Sequence, residues 1–480
     1  MKFLSTRGSE VSGSFNVILK GLSDDGGLFI PEKLEKINFT NEEIERLDYN
    51  EFAFKIISKI FDDIDEEILK KSIKEAYSNF KSDILPIKPL DNLFVMELFH
   101  GKTYAFKDFA LSFLPRIMSE AIRANNLNEV MVLTATSGDT GSAALNGFKN
   151  VDKTKVIVFY PTIGISEIQK RQMTTIDGNN THAYGIKGNF DDAQKALKEI
   201  FNDESLKKYL ENKGYSLSSA NSINIARLVP QIVYYFYAYY EMVKSNSIEE
   251  GESISISVPT GNFGNILAGY LAKNMGLPIK DLICASNKNN ILTDFINTGI
   301  YDTNREFFIT NSPSMDILVS SNLERFLYYS LNKDSELIKN LMKDLKETGK
   351  FKINKEKLKN IFAYSYNDEQ TLNIIKEVYE DYGYLLDTHS AIGIGAAKEY
   401  QKHNNIKVLV AATASYYKFP KSVTDALGLK SNGDIESLEI LSENSKQDVQ
   451  EFKNLLFRDV TQNKVIDKTE IKSVIKEIVN

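Results

Sequence analysis

Short apolar runs bounded by turn residues recur from about residue 94 onward. Residues 130–134 (VMVLT), 156–160 (VIVFY), 254–258 (ISISV) and 408–412 (VLVAA) are the clearest. Runs this short, rich in β-branched residues, read as strands buried on both faces. Longer stretches with apolar residues at helical spacing lie between them, including 109–114, 142–145, 228–240 and 266–275. Strand and helix alternating in this way predict an α/β protein with parallel sheets covered on both faces.

The rhythm differs at the two ends. Before residue 90 a glycine-rich turn at 21–31 is followed by two helical patterns, one starting near Asn41 and one with Phe52, Phe54, Ile56, Ile57 and Ile60 on its apolar side. Residues 334–360 are rich in Lys and Glu, and Leu337, Ile338, Leu341, Met342 and Leu345 share one face, which predicts a surface helix. In the tail, Val449, Phe452, Leu455 and Leu456 mark another amphipathic helix. The expected organisation is a mainly helical N-terminal domain over 1–90, an α/β catalytic region over 91–432 built of two interleaved subdomains, and a helical tail over 433–480.

Composition narrows the function classes. With 480 residues, 42% apolar and 26% charged, the chain has the make-up of a globular protein with a large core. A net charge of -7 gives no basic footprint for nucleic acid. No apolar run approaches a membrane span, and residues 1–8 carry no secretory signal pattern. The lone Cys284 excludes an intrachain disulfide, and His100, His182, His389 and His403 are too scattered for metal-ligand spacing, so no metal is expected. These features point to a cytoplasmic protein acting on a small molecule, as a monomer or homodimer.

Candidate chemistry sits in the loops. Lys107 lies in HGKTYAFKD (100–108), directly before an apolar helical face. The positive end of a helix dipole disfavours the ammonium, and a neutral lysine can form a Schiff base with a carbonyl. The loop 260–265 (TGNFGN) joins a strand to a helix; Gly261 and Gly264 can turn N–H groups inward to make a phosphate cradle, or simply form a tight turn. The loop 136–141 (TSGDTG) offers hydroxyls and N–H groups to a carboxylate, with Asp139 an acceptor for a ligand hydroxyl or a helix cap. Asn221, Ser222 and Asn224 precede the helix that Arg227 opens, where a guanidinium can clamp a second anion or lie at the surface. A phosphate-bearing aldehyde and an amino acid carrying its own phosphate would use all of these groups.

Five ordered blocks, STRG (5–8) with DGGLFIP (25–31), HGKTYAFKD (100–108), TSGDTG (136–141), NSIN (221–224) with Arg227, and VPTGNFGN (258–265), resemble the threonine synthase family. The likeness covers nearly the whole chain. It implies the tryptophan-synthase-β-like fold (fold type II): two open parallel-sheet α/β domains with a small N-terminal domain. It also implies pyridoxal 5'-phosphate as cofactor and O-phospho-L-homoserine as substrate, in the last step of threonine biosynthesis. Carried over position by position, Lys107 joins the cofactor aldehyde as an imine. Gly261, Asn262, Phe263, Gly264 and Asn265 hold its phosphate, Thr413 bonds its ring nitrogen, and Asp139 lies near its 3'-hydroxyl. Thr136, Ser137 and Thr140 take the substrate carboxylate; Asn221, Ser222, Arg227 and Asn265 surround the substrate phosphate. Lys102 and Thr388 replace family prolines, and 415–418 (SYYK) replaces a proline-containing turn beside Thr413. The alternatives are another lyase of the same fold, such as a serine/threonine dehydratase, and a non-catalytic relative acting as a binding module.

Overall fold

A computed structural model describes residues 2–8, 11–188, 190–445 and 450–480. Two separate sheets carry the α/β region. The larger has six strands in the order Ile361–Ser365, Ile279–Ser286, Ile254–Pro259, Val408–Ala412, Leu93–Glu97, Ile87–Leu90. All neighbours are parallel except the last pair, which is an antiparallel hairpin. The second sheet has five parallel strands in the order Val465–Ile466, Thr181–Ile186, Thr154–Pro161, Glu129–Ala135, Tyr215–Ser219. Strands buried along their whole length, such as Ile254–Pro259 and Val408–Ala412, account for the unbroken apolar runs. The parallel two-sheet α/β architecture is the one expected.

The ends differ from the expectation in detail. The N-terminal segment contains the helices Asn41–Arg46, Tyr49–Ile57 and Glu66–Tyr77, but also a three-stranded antiparallel sheet made by Phe3–Ser5, Val11–Ser12 and Phe29–Pro31. Its strands have two or three residues, too few to show a period. Phe52, Ile56, Ile57 and Ile60 are fully buried as the pattern requires, whereas Phe54 is half-buried. The hairpin Ile87–Leu90 to Leu93–Glu97 straddles residue 90, so the α/β sheet begins before that position. Residues 334–360 are not one helix: Ser335–Thr348 ends at Gly349 (φ 75°), and Lys350–Lys352 pairs with Ile300–Asp302. In the tail, Phe452 and Leu456 pack into the core beside the larger sheet, while Val449 lies outside the described residues. Val465–Ile466 adds a strand to the second sheet, and Ile471, Val474 and Ile475 cover it. No helix among the described residues is long and apolar enough to cross a membrane.

One contact fixes the relation of two central helices. Lys107–Ala124 contains Pro115, whose missing N–H leaves the Leu111 carbonyl without its helical donor. Gly147, on the helix Asp139–Phe148, lies against that carbonyl: a Cβ there would stand 1.9 Å from Leu111 O. The two helices therefore meet backbone to backbone, and each carries a candidate site residue as its first residue.

Candidate active site

The loop after Leu93–Glu97 is tied down before it reaches Lys107. The Thr103 N–H and hydroxyl both donate to Asp108, at 2.8 and 2.6 Å. The Phe106 N–H donates to the Thr413 carbonyl at 2.8 Å, and the Ser415 N–H to the Tyr104 carbonyl at 3.0 Å. Residues 103–108 and 413–415 thus run side by side, which places Thr413 next to the start of the lysine helix. Lys107 is the first residue of that helix, as the sequence implies. The tyrosines that replace the family's proline turn are buried and pack on each other, with ring centroids 4.2 Å apart.

Asp139 meets Lys107 from the facing helix. Lys107 Nζ is 3.3 Å from Asp139 Oδ2, and the lysine side chain is 12% exposed. Asp139 is the first residue of its helix, and the cap position belongs to Gly138, so the aspartate is no N-cap. Burial pushes the Lys107 ammonium toward its neutral form; Asp139 opposes this, and Lys418 and Arg227 add to it. Burial alone would raise Asp139, but the charges of Lys107 and Lys418 outweigh it and hold its carboxyl well below the usual carboxylate range.

The glycine-rich loop is linked to Lys107 through Ser314, whose carbonyl lies against Gly261 and whose hydroxyl is 3.5 Å from Lys107 Nζ. It follows the strand Ile254–Pro259 and opens the helix Gly264–Asn274, whose first N–H groups have no intrahelical acceptor. The left-handed residue is Phe263 (φ 62°), not a glycine. Gly261 is required for a different reason: a Cβ would stand 2.6 Å from the Ser314 carbonyl oxygen. The Gly261 and Asn262 carbonyls are fastened to Ser320 and Asn322, and the Asn262 side chain to Ser321. Asn265 is buried; its Oδ1 accepts from Tyr234 and Tyr235, while its Nδ2 has no partner among the described residues.

Arg227 is 4% exposed, and burial pushes its guanidinium down to about 10. Nη1 donates to the Ala220 carbonyl at 2.7 Å and Nε has no acceptor among the described residues. An arginine buried without a carboxylate is costly unless an anion completes it. Gln231 and Tyr234 continue the same helix face from Arg227 to Asn265, through Gln231 Nε2 on the Arg227 carbonyl and Tyr234 on Gln231. The Ser222 and Ser321 hydroxyls are 3.0 Å apart, and Asn221 accepts from Thr134 at 2.7 Å. Thr136 Oγ1 accepts from the N–H groups of Gly138 and Gly141, which shapes the loop and leaves its own proton free to donate. Ser137 and Thr140 are half-buried on the same loop.

Ser314, Gln169, His389 and Lys418 also belong to this site, and the sequence did not single them out for it. Ser314 Oγ lies 2.9 Å from Asp139 Oδ2 and 3.5 Å from Lys107 Nζ. Its N–H donates to His389 Nε2, whose Nδ1 is 2.7 Å from Asp387. Gln169 donates to Asp139 Oδ1 at 3.0 Å.

Family models match the chain along its length: threonine synthase N terminus over residues 2–77, pyridoxal-phosphate dependent enzyme over 81–413, and threonine synthase, C-terminal over 390–475. The chain belongs to the threonine synthase family. It is 41% identical to threonine synthase of Pseudomonas aeruginosa, over 89% of this chain and 90% of that protein. It is 40% identical to threonine synthase-like 1 of Homo sapiens over 91% of this chain, which spans 62% of that longer protein. The structure superposes on a PLP-bound threonine synthase from Brucella melitensis with a TM-score of 0.88 and 37% identity, covering 100% of this chain and 99% of the other. Like the family, the chain is a pyridoxal-phosphate enzyme of fold type II.

Proposed function

We propose that the chain is a carbon–oxygen lyase that converts O-phospho-L-homoserine and water to L-threonine and phosphate, with pyridoxal phosphate carried on Lys107. The single observation that carries this reading is the buried, incompletely bonded Arg227, whose Nε faces no acceptor among the described residues. A site for one phosphate needs only the helix start at Gly264; a second, separate cationic donor implies a second anion. The unpartnered Asn265 amide supports the same view.

The residues present fit the cofactor. The turn before Gly264–Asn274 would hold its phosphate on backbone N–H groups, in space that a Cβ on Gly261 would disturb. Asp139 would lie near its 3'-hydroxyl and Thr413 near its ring nitrogen. When bound, pyridoxal phosphate supplies an electron sink for charge developing at the substrate Cα. Lys107 Nζ, tethered at the start of a rigid helix and favoured as the neutral amine by burial, is the base for the Cα proton. Thr136, Ser137 and Thr140 receive the substrate carboxylate. Asn221, Ser222, Arg227 and Asn265 receive the phosphate and stabilise it as the Cγ–O bond breaks. In the net reaction that bond breaks with its electron pair on phosphate. One Cβ proton is lost, Cγ gains one, and water supplies the hydroxyl at Cβ.

The test is phosphate release by the cofactor-loaded protein from O-phospho-L-homoserine, with L-threonine assayed in the same tube and serine and threonine offered as competing substrates. Equimolar phosphate and threonine support the reading. Keto-acid formation from serine or threonine without phosphate chemistry identifies a dehydratase, and no turnover of any of them identifies a binding module.

A further inference from the structure

The carboxylate of Asp139 serves two lysines at once. Oδ2 faces Lys107 Nζ at 3.3 Å, and Oδ1 faces Lys418 Nζ at 2.9 Å. The two cations are held very differently. Lys418 has a fully buried side chain at the end of the short turn Tyr416–Lys418. Besides Asp139, its ammonium donates to the Thr103 carbonyl at 3.0 Å and to Gln172 Oε1 at 2.7 Å. Three acceptors match its three protons. Among the described residues Lys107 makes two longer hydrogen bonds, to Asp139 at 3.3 Å and to the Ser314 hydroxyl at 3.5 Å, and its ammonium lies 5.3 Å from the centre of the Phe106 ring.

We infer that Lys418 is a positioning residue, a buried counter-ion that holds the Asp139 carboxylate in place and so leaves Lys107 as the amine free to react. This rests on the reading of Lys107 as the cofactor lysine. Two ammonium groups around one buried carboxylate repel each other, and the charge of Lys418 adds to burial in pushing Lys107, which has the fewer and longer bonds, toward its neutral form. With Lys418 in place, loss of the Lys107 charge leaves Asp139 still paired. Without it, Lys107 is the one cation among the described residues bonded to Asp139, and the carboxylate would hold it as ammonium.

The other groups facing the pair do not substitute for Lys418. Gln169 and Ser314 are neutral donors to Asp139. Arg227 acts on Lys107 only through its field. Asp108 is occupied by Thr103, and His389 by Asp387 and the Ser314 N–H.

The experiment uses the full chain in two forms. In the cofactor-free protein, the rate of trinitrophenylation of each lysine is followed from pH 6 to 10 by peptide mass spectrometry. In the cofactor-loaded protein, the pH midpoint of the visible chromophore is recorded. Lys418→Met and Lys418→Gln are each expected to move the Lys107 reactivity midpoint up by at least one pH unit, a tenfold loss of labelling rate near neutrality. Lys418→Arg is expected to return it toward wild type. The chromophore midpoint is expected to rise in the same variants. In the wild-type protein, which needs no folded variant, Lys107 is expected to react well before Lys418. An unchanged or lowered midpoint, or Lys418 reacting first, overturns the proposal. Failure of the underlying reading is separately visible, because Lys107→Ala would then retain the chromophore.

Discussion

The carbonyl oxygen of Leu111 and the Cα of Gly147 meet so closely that no side chain fits between the helices they belong to. Leu111 stands one turn into the helix that Lys107 begins, and Gly147 closes the helix that Asp139 begins. The same glycine's carbonyl accepts from Arg116 on the first helix. This crossing sets the separation of Lys107 and Asp139, which is the geometric basis of the site. Gly147→Ala would force backbone apart from backbone. Overpacking of this kind costs roughly 1–3 kcal/mol, so a lower thermal midpoint is expected, together with weaker cofactor binding by titration. A midpoint and an affinity equal to wild type would show that the helices are positioned by something else.

Gly261→Ala is expected to weaken the cofactor cradle while leaving the fold intact. The reason is the 2.6 Å approach of the Ser314 carbonyl to the Cβ position, and not a left-handed backbone, since the left-handed residue in that loop is Phe263. Ser314 also contacts Lys107 and Asp139, so its displacement should disturb the chromophore. Absorbance titration of the purified variant with pyridoxal phosphate, against circular dichroism as a folding control, checks both halves of the expectation.

Asp108 should make stability fall as pH rises through the mildly acidic range. Burial raises its carboxyl from 3.8 to about 6, and the bonds from Thr103 only partly offset that. The folded chain therefore binds a proton that the unfolded chain has released, between about pH 4 and pH 6. Stability attributable to this group is highest below that window and is lost as Asp108 ionises. A shift of about two units corresponds to roughly 3 kcal/mol. Asp108→Asn removes the ionisation, so the variant should gain on wild type between pH 4 and 7 in parallel unfolding measurements. A constant difference across that range would show that Asp108 is already charged in the folded protein at pH 4.

How much of this was legible beforehand follows from how local each signal is. The stretches around Lys107, Thr136, Asn221 and Gly261 carry glycines, hydroxyls or amides in short order beside apolar runs, and each lies at a helix start, although the helices begin two or three residues earlier than the apolar runs suggest, at Asp139, Ile225 and Gly264. In the sequence Lys418 stands out only as part of the tetrapeptide 415–418 (SYYK). What gives it a role is Asp139, nearly three hundred positions earlier, and no spacing in the chain encodes that meeting. Ser314 lies in a stretch without periodicity, in the three-residue turn Pro313–Met315, and reaches the site because His389 and Asp387 hold that turn. The N-terminal sheet is not legible in the sequence because strands of two or three residues show no alternation. Asp139 was legible as a polar loop residue but not as the partner of Lys107, since that pairing depends on two helices crossing at Gly147.

The measurement that tests the central claim most directly is turnover by Arg227→Ala at matched cofactor occupancy. If Arg227 receives the substrate phosphate, the variant should bind pyridoxal phosphate normally, because the proposed cradle for the cofactor phosphate is the separate turn before Gly264. Its phosphate release from O-phospho-L-homoserine should fall about a hundred- to a thousandfold, the usual loss on removing one donor at a developing charge, or roughly 2.7–4 kcal/mol. Arg227→Lys should recover only part of it, since a point charge cannot reproduce the guanidinium fork. A variant that instead loses the cofactor, yet turns over phosphohomoserine at the wild-type rate per bound cofactor, would contradict the account.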